Sequence, residues 1–375
     1  MNSEPIAYPK DEREDFYSDD DLFKISSWGA DLSFRELIDR YENEELLKPA
    51  LQRKYVWDKV EASRFIDSLL LGLPVPSIFL SKQPDEKLLI IDGYQRIMTV
   101  YDYVKKGIFT GDGKVFKLTK SEKINQRWRG KAFSELSEDQ QRKIRNTTIH
   151  AIVFVQQHPD DNDTSLYQIF ERINTSGRSL LPQEIRNCIY ESNFNDMLME
   201  VNRHESWRTL FGSSVEDNRM RDVELILRFY ALNPIELDKI NIDRISLKKH
   251  LNTCMGGYSH LCEKEINACR DEFIRTSDFL LKCFGEKAFH SITDTETLKM
   301  GSRLSPTVYD SIAIAASIYL KKNPNAKPIA GIQKRKGILF EDSEYKDAIT
   351  TGTTRTKAIY YRINRACEVL FSMGN

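Results

Sequence analysis

Leu88-Leu89-Ile90-Ile91-Asp92-Gly93-Tyr94-Gln95-Arg96 is the stretch on which the reading of this chain turns. Four apolar residues in a row read as a strand and Asp-Gly as a turn. Ile97, Val100, Tyr101 and Val104 then recur at helical spacing, so a strand is predicted to run directly into an amphipathic helix. Gln95 and Arg96 fall in the first turn of that helix, where backbone N–H groups lack intrahelical partners and the macrodipole is positive. Such a joint suits an anion, because phosphate is drawn to the free N–H groups and arginine adds a forked, charge-assisted contact. A purely structural reading uses the same residues, with Asp92 as the helix cap and Gly93 as the turn residue.

Upstream, Ser33-Phe34-Arg35-Glu36 fits a capping box opening a helix to about Tyr41, and Asp58-Lys59-Val60-Glu61 opens another that runs to Gly72. Pro74 and Pro76 force an extended entry into a strand over 77–81, and the Gln83-Pro84-Asp85 turn returns the chain as the strand over 88–91. A further strand over 149–155 is apolar at nearly every position, which suits a central strand covered on both faces. Asp163 is placed to cap a helix striped by Leu166, Ile169, Phe170 and Ile173 that ends near Asn174-Thr175-Ser176-Gly177, and a new helix follows from Pro182. Beyond it no alternating strand is found. The segments 223–231, 261–284, 307–320 and 360–371 all read as helices separated by Gly, Pro and Asn. The expected fold class is α+β, a mixed N-terminal domain over 23–191 followed by an all-helical domain over 192–375.

The chain has 375 residues and a net charge of -1, so it is not a uniformly basic nucleic-acid binder. Its charge is uneven, however: the run from Asp11 to Asp21 carries a net -6, which leaves the remainder at +5 and leaves room for a basic patch. Residues 1–22 read as an acidic, disordered tail. No N-terminal apolar segment follows a basic start, and the apolar run over 312–320 is too short to span a bilayer, so a cytoplasmic protein with no membrane partner is expected. Six cysteines from Cys188 to Cys367 read as reduced thiols rather than a disulfide framework.

Three segments then line up: Leu51-Gln52-Arg53-Lys54-Tyr55-Val56-Trp57, Ile91-Asp92-Gly93-Tyr94-Gln95-Arg96, and Phe170-Glu171-Arg172-Ile173-Asn174-Thr175-Ser176-Gly177. Their order and separation, over roughly residues 25 to 230, resemble the N-terminal domain family of GmrSD-type restriction systems. Arg219-Met220-Arg221-Asp222 looks like the start of the helical extension in such proteins. The resemblance implies a ParB/sulfiredoxin-like α/β core and a loop that binds and hydrolyses nucleoside triphosphate with Mg²⁺. It also implies a role in restricting foreign DNA bearing modified bases or backbone. Tyr94 stands where the best-known members carry Gln, which puts turnover in question if that side chain touches nucleotide or water.

By this resemblance Asp92, Gln95 and Arg96 are the candidate catalytic residues, with Gly93, Tyr94, Gln52, Arg53, Arg172 and Asn174 as candidate nucleotide ligands. Gly93 lets backbone approach phosphate, Arg96 neutralises it, Gln95 orients water or a phosphate oxygen, and Asp92 holds the loop or a metal. Lys123, Arg127, Arg129 and Lys131 around Trp128 form a candidate nucleic-acid contact, with Trp128 as a base-stacking platform or simply as a loop anchor. Tyr55 and Trp57 read as core aromatics. A zinc site at His250, Cys254, His260, Cys262 and Cys269 matches no common spacing, and Arg244 with His250 only weakly resembles a ribonuclease element. No His-Asn-His nuclease pattern is present, which points to a stand-alone sensor subunit working with a separate nuclease. The alternative is a non-catalytic, nucleotide-dependent binding or antitoxin-like partner. Oligomeric state stays open.

Overall fold

The structure is a computed structural model that describes residues 6–13, 24–48, 57–83, 85–158, 181–190, 192–240 and 242–373. The chain divides into two compact units. One holds residues 21–179 with 187–189, and the other holds residues 1–20, 180–186 and 190–375.

The first unit is built on a mixed five-stranded sheet. Its elements are β1 (Lys24–Ser33), α1 (Phe34–Glu42), β2 (Leu46–Leu47), α2 (Lys59–Leu71), β3 (Ile78–Lys82), β4 (Leu88–Asp92), α3 (Tyr94–Tyr101), α4 (Glu138–Asn146) and β5 (Thr148–His158). The strand order is β1-β5-β3-β4-β2. β5 runs antiparallel to β1 and parallel to β3, while β4 runs antiparallel to β3 and parallel to β2. β5 therefore sits inside the sheet, as its apolar run predicted. The strand β1 was not foreseen, and neither was the short β2.

Local signals set the helix starts. Asp58 accepts from the N–H groups of Val60 and Glu61 while Glu61 returns to the Asp58 N–H, a complete capping box, and Gly72 closes α2 in the left-handed region at φ 78°. Ser33 caps α1 by accepting from Glu36 N–H, but the Glu36 carboxylate turns to Arg40 instead of closing the box. The apolar faces of these helices meet the sheet in one core that includes Phe34, Leu37, Ile66, Leu69, Leu80, Ile90, Ile97 and Val153. Each such side chain stabilises the fold by roughly 1.5–3 kcal/mol relative to an exposed position.

The second unit is mainly helical. From α5 (Pro182–Ile189), whose first turns belong to it, it continues through α6 (Asn193–Val201), α7 (Glu205–Phe211), α8 (Arg221–Ala231), α9 (Leu247–Tyr258) and α10 (Glu263–Phe284). After β6 (His290–Asp294) and β7 (Lys299–Leu304) come α11 (Pro306–Lys322), α12 (Ile332–Glu341), α13 (Ser343–Thr350) and α14 (Thr356–Phe371). α11 is buried along almost its whole length and packs on α8, α10 and α14. The β6–β7 hairpin corrects the expectation of an all-helical second half. Its burial alternates on neither strand, so the period-2 signal that marks a half-buried strand is missing.

Within the stretch read as a disordered acidic tail, Lys10–Arg13 forms a short helix in the helical unit, with the Glu12 side chain only 3% exposed. The helix expected after Asp163 lies outside the described residues. No helix among the described residues is long and apolar enough to cross a membrane.

Candidate functional site

β4 ends at Asp92, Gly93 turns the chain at φ 104° and ψ 1°, and α3 begins at Tyr94 with no side-chain cap on its N-terminus. Asp92 does not cap the helix. Its carboxylate instead receives the Arg96 Nη2 at 2.7 Å, and the same nitrogen donates to the Ser77 carbonyl at 3.1 Å. Arg96 thus stitches the end of β4 to the entry of β3, with 14% of its side chain exposed against 28% for Asp92. Its Nε is buried and has no hydrogen-bond partner among the described residues. A buried guanidinium N–H left unpaired is costly.

Gly93 serves the turn, as its structural reading has it, and the neighbouring strand adds a second reason. A Cβ there would lie 2.2 Å from Ile78 Cγ2 and 2.8 Å from Ile78 Cβ, and the positive φ disfavours any L side chain. The glycine is required by the neighbouring strand, whatever approaches from outside.

Gln95 Oε1 accepts the Trp57 backbone N–H at 3.3 Å, tying α3 to the segment that enters α2. Trp57 itself packs edge-on against Phe65, with ring centroids 5.6 Å apart, and serves the core as read from sequence. Tyr94 is 6% exposed and part of the same core, and burial pushes its hydroxyl pKa up to about 12. It is therefore removed from the candidate nucleotide ligands. The turn at Gly93 aims the first helical side chain inward, so the departure from the Gln pattern at this position faces the core. Gln52, Arg53, Arg172 and Asn174 lie outside the described residues.

The basic loop is also only partly as read. Trp128 is 4% exposed, and its indole N–H donates to Asp67 at 2.6 Å, so it anchors the loop and cannot stack on a base. Arg129 folds back onto the Ile124 and Glu122 carbonyls. Lys123 and Arg127 remain exposed, and Lys131 is half-buried. Lys123, Arg127 and Arg129 line an open hollow of about 520 Å³ with Asp67, Leu71 and Asn125.

His250 is 7% exposed, with Nε2 on the Ala231 carbonyl at 2.6 Å, and burial lowers its pKa. Arg244 bonds the Thr354 hydroxyl. An imidazole that is covered and bonded to a backbone carbonyl is out of reach of a polynucleotide, which removes the ribonuclease reading. Cys254 Sγ lies 3.7 Å from His250 Nε2, but among the described residues no group of three or more metal-ligating side chains forms.

The residues that sequence reasoning missed are Ser77 and Ile78. Both act on the Asp-Gly loop through the β3–β4 pairing, and nothing local in the sequence marks them.

The family described as GmrSD restriction endonuclease, N-terminal domain, matches residues 34–191, a span that contains the Asp92–Arg96 joint. Residues 34–191 are thus similar to the GmrSD N-terminal domain family. No curated protein matches the chain significantly. The matched span takes in the sheet unit from α1 onward and all of α5, and the match points to a component of a restriction system.

Proposed function

We propose that the chain is the nucleotide-binding sensor component of a DNA restriction system, that it acts with a separate nuclease, and that the triphosphate sits at the start of α3. The observation that carries this reading is the Arg96 guanidinium, held by Asp92 and Ser77 in the first turn of α3, with no hydrogen-bond partner for its Nε among the described residues. A phosphate at a helix N-terminus is drawn to the positive end of the dipole and to an arginine of the first turn. Arg96 holds the phosphate, Asp92 fixes the direction of the guanidinium, and Gln95 holds the Trp57 backbone against the helix. Mg²⁺ would enter with the nucleotide; Asp92 is the carboxylate at this joint, and it is already committed to Arg96. Lys123 and Arg127 contribute sequence-independent contacts to DNA phosphates.

A second reading, binding without turnover, is favoured by one feature: Asp92 and Gln95, the two residues assigned to water or metal, both hold other parts of the fold. Calorimetry with nucleoside triphosphates, with and without Mg²⁺ and DNA, tests the binding, and phosphate release under the same conditions separates the two readings. Multiple turnovers that vanish in Asp92→Asn while binding persists select hydrolysis. Absence of any triphosphate binding overturns both.

A further inference from the structure

We propose that the helical unit carries a preformed site for an acidic peptide, and that residues 6–13 of the chain are its resident ligand. The site is made by three helices. Asp310 on α11 accepts Arg228 of α8 at 2.6 Å and Arg362 of α14 at 2.9 Å, with all three side chains 0–1% exposed. Two guanidinium groups against one carboxylate leave a buried positive charge uncompensated, a costly state in a low-dielectric interior.

Glu12 supplies the missing charge. Its carboxylate takes both Arg228 Nη1 at 2.8 Å and Nη2 at 3.1 Å, a two-point contact. Its neighbour Asp11 accepts the Thr353 N–H at 2.7 Å and the Thr353 hydroxyl at 3.0 Å, while the Thr353 carbonyl receives Arg362 Nη1 at 2.6 Å. Asp11, Thr353, Arg362, Asp310, Arg228 and Glu12 therefore close a ring of polar contacts. Upstream, Ile6 is fully buried in a parallel bridge to Leu304, and Ala7 N–H donates to the Leu304 carbonyl at 2.8 Å. Edge-strand pairing plus pockets for particular side chains is how folded domains read extended peptides. The recognised pattern is an apolar anchor followed five and six residues later by Asp-Glu.

Both arginines also have partners outside the segment. Arg228 is fixed by Asp310 through Nε and Nη2, and Arg362 by Asp310, Thr353 and Ala348, all from helices of the unit or the turn between them. The described part of the segment is a four-residue turn of helix and its bridge. A site whose arginines are pre-oriented pays little ordering entropy when an acidic peptide enters, so the segment is exchangeable.

The test is a full-length chain with a protease site inserted within residues 14–23. After cleavage, the 1–13 fragment is expected to co-elute with the remainder and to be displaced by excess synthetic 1–13 peptide. A Glu12→Gln peptide is expected to compete at least tenfold more weakly, and an Ile6→Ser peptide also more weakly. The proposal is overturned if excess peptide never exchanges while the cleaved chain stays folded by circular dichroism, or if cleavage unfolds the helical unit. It is equally overturned if the Glu12→Gln peptide competes as well as the native one.

Discussion

The side-chain carbonyl of Gln95 accepts the backbone N–H of Trp57 at 3.3 Å, across 38 residues of chain. This bond joins two of the three segments by which the chain resembles the GmrSD family, and it gives Gln95 a positioning role independent of any water. Gln95→Ala is expected to lower stability by about 1 kcal/mol, the usual net worth of one such bond. Gln95→Glu keeps the acceptor and should retain most of that stability in denaturant titration. Loss of phosphate release in Gln95→Glu at unchanged stability would assign the amide a chemical role as well.

Gly93→Ala should cost about 2–5 kcal/mol, because the left-handed backbone and the collision with Ile78 act together. Asparagine tolerates the left-handed region better than alanine, yet it carries the same Cβ into the Ile78 methyl. Gly93→Asn is therefore expected to be destabilised at least as much in thermal melts. A stable Gly93→Asn protein would show that backbone strain alone had demanded the glycine.

Trp128 and Arg127 should separate stability from nucleic-acid contact. Trp128→Ala removes a buried ring and its bond to Asp67 and is expected to cost about 3–5 kcal/mol. Arg127→Ala, at an exposed position, should stay within about 0.5 kcal/mol of wild type while weakening DNA binding and reducing its salt dependence. An Arg127→Ala protein with an unchanged salt slope would remove this loop from the interface.

Lys336 on α12 is expected to make the stability of the helical unit depend on pH. Its Nζ donates to the carbonyls of Lys287, Ala288 and His290 at 2.8–3.1 Å, and burial pushes its pKa down from 10.5 to about 7. Between those two values the unfolded chain binds a proton that the folded chain does not, so this group makes stability rise with pH over that window. Its cost is fully present below about pH 7 and gone above the unfolded value. The stability difference between wild type and Lys336→Met should accordingly move in favour of wild type from pH 7 to pH 10. A pH-independent difference would contradict this.

Much of the sheet unit was legible because its signals are local. The Asp58–Glu61 capping box, the closing Gly72, the apolar run of β5 and the strand–turn–helix at Asp92–Tyr94 each sit within a few residues. β1 was not legible: Ser26, Ser27, Trp28 and Gly29 are all exposed, so no alternation betrays a strand defined by pairing with β5. The site was half legible. Spacing placed Arg96 one turn beyond Asp92, where the two can pair. It could not reveal that Ile78 fills the space over Gly93, that Ser77 shares the guanidinium, or that Tyr94 turns inward, because those contacts depend on strand pairing and the direction of one turn.

The central claim is that the start of α3 binds a triphosphate through Arg96. Isothermal titration of wild type and Arg96→Ala with a nucleoside triphosphate and Mg²⁺, at a temperature where melting curves find both folded, tests it most directly. The account predicts saturable binding by wild type and loss of at least tenfold in affinity in Arg96→Ala. Equal binding by the two proteins, or no binding by wild type with or without DNA, would contradict it.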